Sequence, residues 1–194
     1  NLSQHQNNIS NVVNKPKAEI NRSGDYWTVD RSADEDDGEC AADCTLREAI
    51  GLAGSGDIIH FDNSLVGATI TLTDNITIDK DLTIDNSIHS PKITISGNDL
   101  TGIFVIDYYD QLTLKNLTIA NSFSSFGAIE NDMGSLIIED CWFENNGTTN
   151  AGGGALRNDQ GDIIIRRSIF KHNIGNNGGA IWNYGNLEIY DTTF

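Results

Sequence analysis

Glu130, Arg157 and Trp182 occupy matching places in a pattern that repeats along the second half of the chain, with Asp132 and Asp159 two residues beyond the first two. An acid, a guanidinium and an indole plane in one column could hold a sugar. Clustered carboxylates for Ca2+ beside a basic residue are also what proton abstraction from an acidic polysaccharide requires. The column holds a single carboxylate, however, and no second basic residue backs Arg157. The plainer reading is an exposed ion pair next to a surface tryptophan, which contributes little on its own.

A second set of candidates lies upstream. Eight acidic residues fall between Asp25 and Asp43 with only Arg31 against them. Asp34, Asp36, Asp37 and Glu39 offer hard oxygen ligands of the kind Ca2+ accepts, although their spacing is not that of an EF-hand. A solvated acidic loop is the alternative. Arg166, Arg167, Lys171 and His172 form one basic knot, which suits either solvated turns or contact with an anionic glycan. Trp142, Ile169, Ile137 and Ile164 should face outward as an apolar strip, a surface for a loop or a partner.

The chain has 194 residues, 28 acidic and 12 basic, with a formal charge of −16. That balance argues against nucleic acid, and no run is long enough to span a membrane. Cys40 and Cys44 are close enough to pair, and a structural disulfide implies an oxidising compartment. A zinc site would need a second ligand pair, which the scattered histidines and Cys141 do not supply. Cys141 reads as a buried free thiol. Asn8, Asn21, Asn75, Asn116 and Asn146 each begin an N-x-Ser/Thr triplet, and chance accounts for most of these in a chain this rich in asparagine.

These side chains need elements to position them. Thr45 and Glu48 have capping-box spacing, and Leu46, Ala49, Ile50 and Ala53 form an apolar stripe, so one short helix is predicted, with Gly54 and Gly56 suited to a left-handed stop. So short a helix must cover something apolar. From Asp57 onward the chain becomes short β-branched triplets, such as Ile70-Thr71-Leu72 and Ile76-Thr77-Ile78, whose outer residues point inward while threonine points out. The threonines are too irregularly spaced for an ice lattice.

Strands this short need partners directly above and below, as in a solenoid. Leu112 to Ser122, Leu136 to Asn146, Ile163 to Asn173 and Leu187 to Phe194 align as one unit, at spacings of 24, 27 and 24 residues. The alignment predicts inward columns Ile119/Phe143/Phe170/Phe194 and Leu117/Cys141/Ser168/Thr192. It also predicts asparagine columns Asn131/Asn158/Asn183 and Asn121/Asn145 with Asn173 shifted. The expected organisation is an arm over residues 1–24, an acidic loop and disulfide-clipped capping helix over 25–56, and a parallel β-helix over 57–194 that continues with more coils. The chain begins with Asn1, consistent with a processed terminus or with a start inside a longer chain. The arm and the uncovered last coil are candidate surfaces for self-association.

Cys44-Thr-Leu-Arg-Glu-Ala-Ile50 resembles the motif of the CSLREA-domain proteins, with Thr in place of Ser. Phe143-Glu-Asn-Asn146, Phe170-Lys-His-Asn173, Gly153-Gly-Ala-Leu156 and Gly178-Gly-Ala-Ile181 are similar to the F-x-x-N and G-G-A-I repeats of polymorphic outer membrane proteins. The resemblance implies an all-β, right-handed, pectate-lyase-like parallel β-helix, secretion or cell-surface display, and an adhesive or structural role with a glycan or host-surface ligand. A polysaccharide lyase or glycoside hydrolase, and a self-assembling filament subunit, are the alternatives.

Overall fold

The computed structural model describes residues 25–41, 43–150 and 152–194, so the expected N-terminal arm lies outside the described residues. From Asp57 the chain winds into a parallel β-solenoid of about five turns. Each turn visits three sheets. Sheet 1 has seven strands, Tyr26–Val29, Asp57–Phe61, Leu82–Asp85, Gln111–Lys115, Ser135–Glu139, Asp162–Arg166 and Asn186–Tyr190. Sheet 2 has five, Thr69–Thr71, Ile93–Ser96, Leu117–Ala120, Trp142–Glu144 and Ile169–Lys171. Sheet 3 also has five, Ile76–Ile78, Phe104–Ile106, Ile129–Asp132, Leu156–Asp159 and Ile181–Asn183. All of these neighbours pair in parallel, as winding in one sense requires.

The repeat alignment holds in space: Leu112, Leu136, Ile163 and Leu187 are successive register partners on sheet 1. Ile119 pairs with Phe143 and Phe143 with Phe170. The phenyl rings of Phe143 and Phe170 stack with centroids 4.6 Å apart, and Phe194 continues the stack at 5.0 Å while remaining largely exposed. Alternation does the sorting. In Ile76–Ile78 the two isoleucines are buried and Thr77 is exposed. Thr113 and Thr118, expected outside, point away from the core yet are covered.

Tight corners between sheets explain a further regularity. Asn116, Asp140, Arg167 and Asp191 all have positive φ, as do Asn121, Asn145 and His172. Asn and Asp tolerate this left-handed conformation better than most residues. It also corrects one expected column: Asn121 and Asn145 are corner residues, and the stacked amides belong to Asn146 and Asn173. The Asn146 amide N–H and side-chain NH2 both donate to Asn173 Oδ1, at 3.1 and 3.0 Å, while Asn146 Oδ1 accepts from the Ser122 amide. The other ladder is as expected, with Asn131 Nδ2 donating to Asn158 Oδ1 at 2.8 Å and Asn158 Nδ2 to Asn183 Oδ1. The Gly-Gly-Ala elements let backbones meet closely, since a Cβ on Gly153 would lie 2.4 Å from the Leu156 carbonyl and the Trp182 amide.

The helix α1 spans Leu46–Leu52, and its capping box forms as predicted. Leu46 and Ile50 are only 1% and 2% exposed and join the cluster that contains Val29, Ile59 and Phe61, so the helix is a lid on the first coil. It does not end on a left-handed glycine. Ala53 turns extended at φ −61°, ψ 147°, and the positive φ falls later, at Gly56.

Candidate functional site

The acidic loop is organised around the lid. The Asp34 side chain is 2% exposed and forms a two-pronged ion pair with Arg47, at 2.8 and 2.9 Å. It also accepts from the Thr73 amide and hydroxyl, each at 2.7 Å. Burial opposes its charge, but Arg47 and Thr73 together outweigh that and hold the carboxyl below its usual value of 3.8. Arg47 reaches on to the carbonyls of Asp74 and Asn75, so one residue pair ties loop, helix and first coil together.

Asp36 and Asp37 accept from the amides two residues ahead, and the Asp37 amide donates to Glu48. Glu48, taking the Thr45 amide first and the Asp37 amide second, is held below the usual carboxylate value. The oxygens of Asp34, Asp36, Asp37 and Glu39 do not converge. Among the described residues the one set of His, Cys, Asp and Glu atoms within 4.8 Å of one another is Cys40, Cys44 and Glu48. Its two sulfurs are bonded to each other, so it offers no thiolates.

Asp57 was not singled out by the sequence, yet it is the second fastening of the lid. Buried at the start of a sheet 1 strand, it accepts from the Gly54 amide at 2.8 Å, Trp27 Nε1 at 3.0 Å and the Asp25 amide at 3.1 Å. Its only signal was an acid directly ahead of a hydrophobic run.

On sheet 3 Glu130, Arg157 and Trp182 do form one column. Arg157 donates to Glu130 at 2.7 Å, approaches Asp159 at 3.5 Å and lies 5.6 Å from the Trp182 ring centre. Asp132 and Asp159 are register partners two residues further along the same two strands. Glu130 is pushed up from its usual value, chiefly by burial and further by Asp132 and Asp159, against the pull of Arg157. Asp132 in turn pushes the Tyr108 phenol up. Arg157 is held by two carboxylates, so its guanidinium is committed to ion pairs within the column.

Arg166, Arg167 and Lys171 of the basic knot enter axial pairs, as does Arg157, while none of the ion pairs of the described residues includes His172. Arg157 with Glu130, Arg166 with Glu139, Arg167 with Asp140 and Lys171 with Glu144 each join positions 27 residues apart, on successive coils. The apolar candidates separate into two columns, Ile137 over Ile164 on sheet 1 and Trp142 over Ile169 on sheet 2. Cys141 is buried and its thiol pushed up to about 12 by that burial, so it is inert. The Asn116 and Asn146 side-chain amides are held by the backbone or by neighbouring amides, which leaves neither free as a glycan acceptor.

The fold places the chain among parallel β-solenoids. No protein-family model, curated protein or solved structure matches it. Among the described residues no helix is long and apolar enough to cross a membrane.

Proposed function

We propose that the chain is a non-catalytic β-solenoid segment of an extracellular or cell-surface protein, an adhesin or structural fibre, whose outer faces bind while its charges hold coils together. The observation that carries this reading is the set of four acid–base pairs along the axis, which commits the strongest catalytic candidates to structure. The Cys40–Cys44 bond supports export, since such bonds persist in oxidising compartments. The likeness of Cys44 to Ile50 and of the Gly-Gly-Ala and F-x-x-N repeats to CSLREA-domain and polymorphic outer membrane proteins supports the same reading.

A polysaccharide lyase or hydrolase is the second reading, favoured by the upward shift of Glu130 beside Asp132, Asp159 and Trp182. Incubation with polygalacturonate, with and without Ca2+, separates the two. No unsaturated or reducing-end product is expected. Ca2+-dependent turnover abolished by Arg157→Ala would reverse the assignment.

A further inference from the structure

The turn between the sheet 1 strand Leu82–Asp85 and the sheet 2 strand Ile93–Ser96 rises over sheet 2 and closes one side of a groove of about 420 Å3. Thr94, Thr118 and Trp142, on three consecutive rungs, form its floor, with Glu144 beside them. The wall is rigidly built. His89 is buried between Asn86 Oδ1 at 2.8 Å and Asn63 Oδ1 at 3.1 Å, and Asn116 Nδ2 donates to the carbonyls of Asn86 and His89. Such a network fixes the wall before any ligand arrives, and preorganisation of this kind lowers the cost of binding.

Charge in the groove is asymmetric. Glu144 is matched by Lys171 at 2.6 Å. Lys92 and Lys171 lie 5.8 and 5.3 Å from the Trp142 ring centre. Lys92 donates only to neutral acceptors, Asn116 Oδ1 and, at 2.7 Å, the Asp140 carbonyl, and its charge adds to that of Arg167 in lowering the Asp140 carboxyl. None of the ion pairs of the described residues includes Lys92. Among the described residues the groove therefore presents a cation outside any direct ion pair, in a chain of formal charge −16, next to an indole that stays 40% exposed. An aromatic plane takes the C–H face of a ring, hydroxyls and a carboxylate take polar substituents, and an unpaired ammonium takes an anion.

From this arrangement we infer that the groove is a binding site for a pyranose bearing an anionic substituent, with the ring on Trp142, the carboxylate or sulfate on Lys92, and sugar hydroxyls on Thr94 and Glu144. The site supplies a ligand class for the surface-protein reading and rests on it. Polysaccharide turnover would sink that reading, whereas failure to bind acidic sugars sinks only the groove assignment.

The test is a calorimetric or NMR titration of the intact chain with methyl β-glucuronide, glucose 6-sulfate, methyl β-glucoside and a glutamate-containing peptide. The two acidic sugars should bind saturably, and the neutral glucoside about tenfold more weakly, the worth of one charge-assisted hydrogen bond. Lys92→Gln should erase that preference, Trp142→Ala should abolish binding of every sugar, and Trp182→Ala should change nothing. The assignment is overturned if wild-type protein binds neither acidic sugar, if it binds the glucoside equally well, if it prefers the peptide, or if binding survives Trp142→Ala. The wild-type titrations decide the matter even where a variant fails to fold.

Discussion

Asp34 and Glu48 show how far a single carboxylate can be predicted before its surroundings are known. Glu48 was legible, because a capping box is local: Thr45 and Glu48 sit three residues apart and need nothing else. Asp34 was not. It lay in a run of acids that all look alike in one dimension, and its partners Arg47 and Thr73 are distant in sequence. Both carboxyls titrate below their ordinary values of 3.8 and 4.5. Their stabilisation is thus complete above those values and is lost as pH falls through the depressed ones. Thermal melts followed against pH should show an acid limb below about pH 4. Asp34→Asn and Glu48→Gln should each lower stability at neutral pH by about 1–3 kcal/mol, the worth of hydrogen bonds to a charged group, and flatten that limb. An unaltered acid limb in both variants would show that the lid is fastened elsewhere.

At the scale of elements, stacking decides what each side chain contributes. Asn158 is buried with Asn131 and Asn183 on either side, while Asn183, at the exposed end of the ladder, has only one coil above it. Chemical denaturation should therefore place Asn158→Ala about 1–3 kcal/mol below the parent, since it strands buried polar groups, and Asn183→Ala within about 0.5 kcal/mol of it. Equal losses would mean that the ladder does not propagate along the axis. The lid offers a parallel contrast. Cys40 and Cys44 close a short loop, so replacing both with serine should cost about 2 kcal/mol. Leu46→Ala, which hollows the seal itself, should cost about 2–5 kcal/mol. The helix and its apolar stripe were readable because period and capping are local. Its C-terminal stop was misread because Ala53 leaves the helix to meet sheet 1, with Asp57 gripping the Gly54 amide, and no glycine conformation is needed there.

Over the whole molecule, winding gathers carboxylates along the corner between sheets 3 and 1, with Lys80 only partly offsetting them. Asp110 is pushed up by burial and then by Asp81, Asp107 and Asp79, much as Glu130 is by burial and by Asp132 and Asp159. For these groups the sign reverses: ionising them costs the folded state, so stability falls as pH rises through their raised values and stays lowered at neutral pH. Stability should accordingly peak at mildly acidic pH, between the loss of the lid pairs and the charging of this corner. At neutral pH, added NaCl should raise the melting temperature by screening it, and Asp110→Asn should do the same at low salt. A melting temperature that falls steadily with salt would contradict this.

The sequence by itself determined the solenoid, its helical lid, the register of its later coils, the phenylalanine stack and one of its two asparagine ladders. All of these follow from short-range alternation repeated at a nearly constant period, which a linear chain displays openly. Tertiary structure alone decided the second ladder, the fate of the acidic loop, the pairing of the basic knot and the groove around Trp142 and Lys92. In each case the partners come from different coils or from a turn of variable length. A difference of one residue in such a turn sets which side chains face one another, and composition carries no record of it.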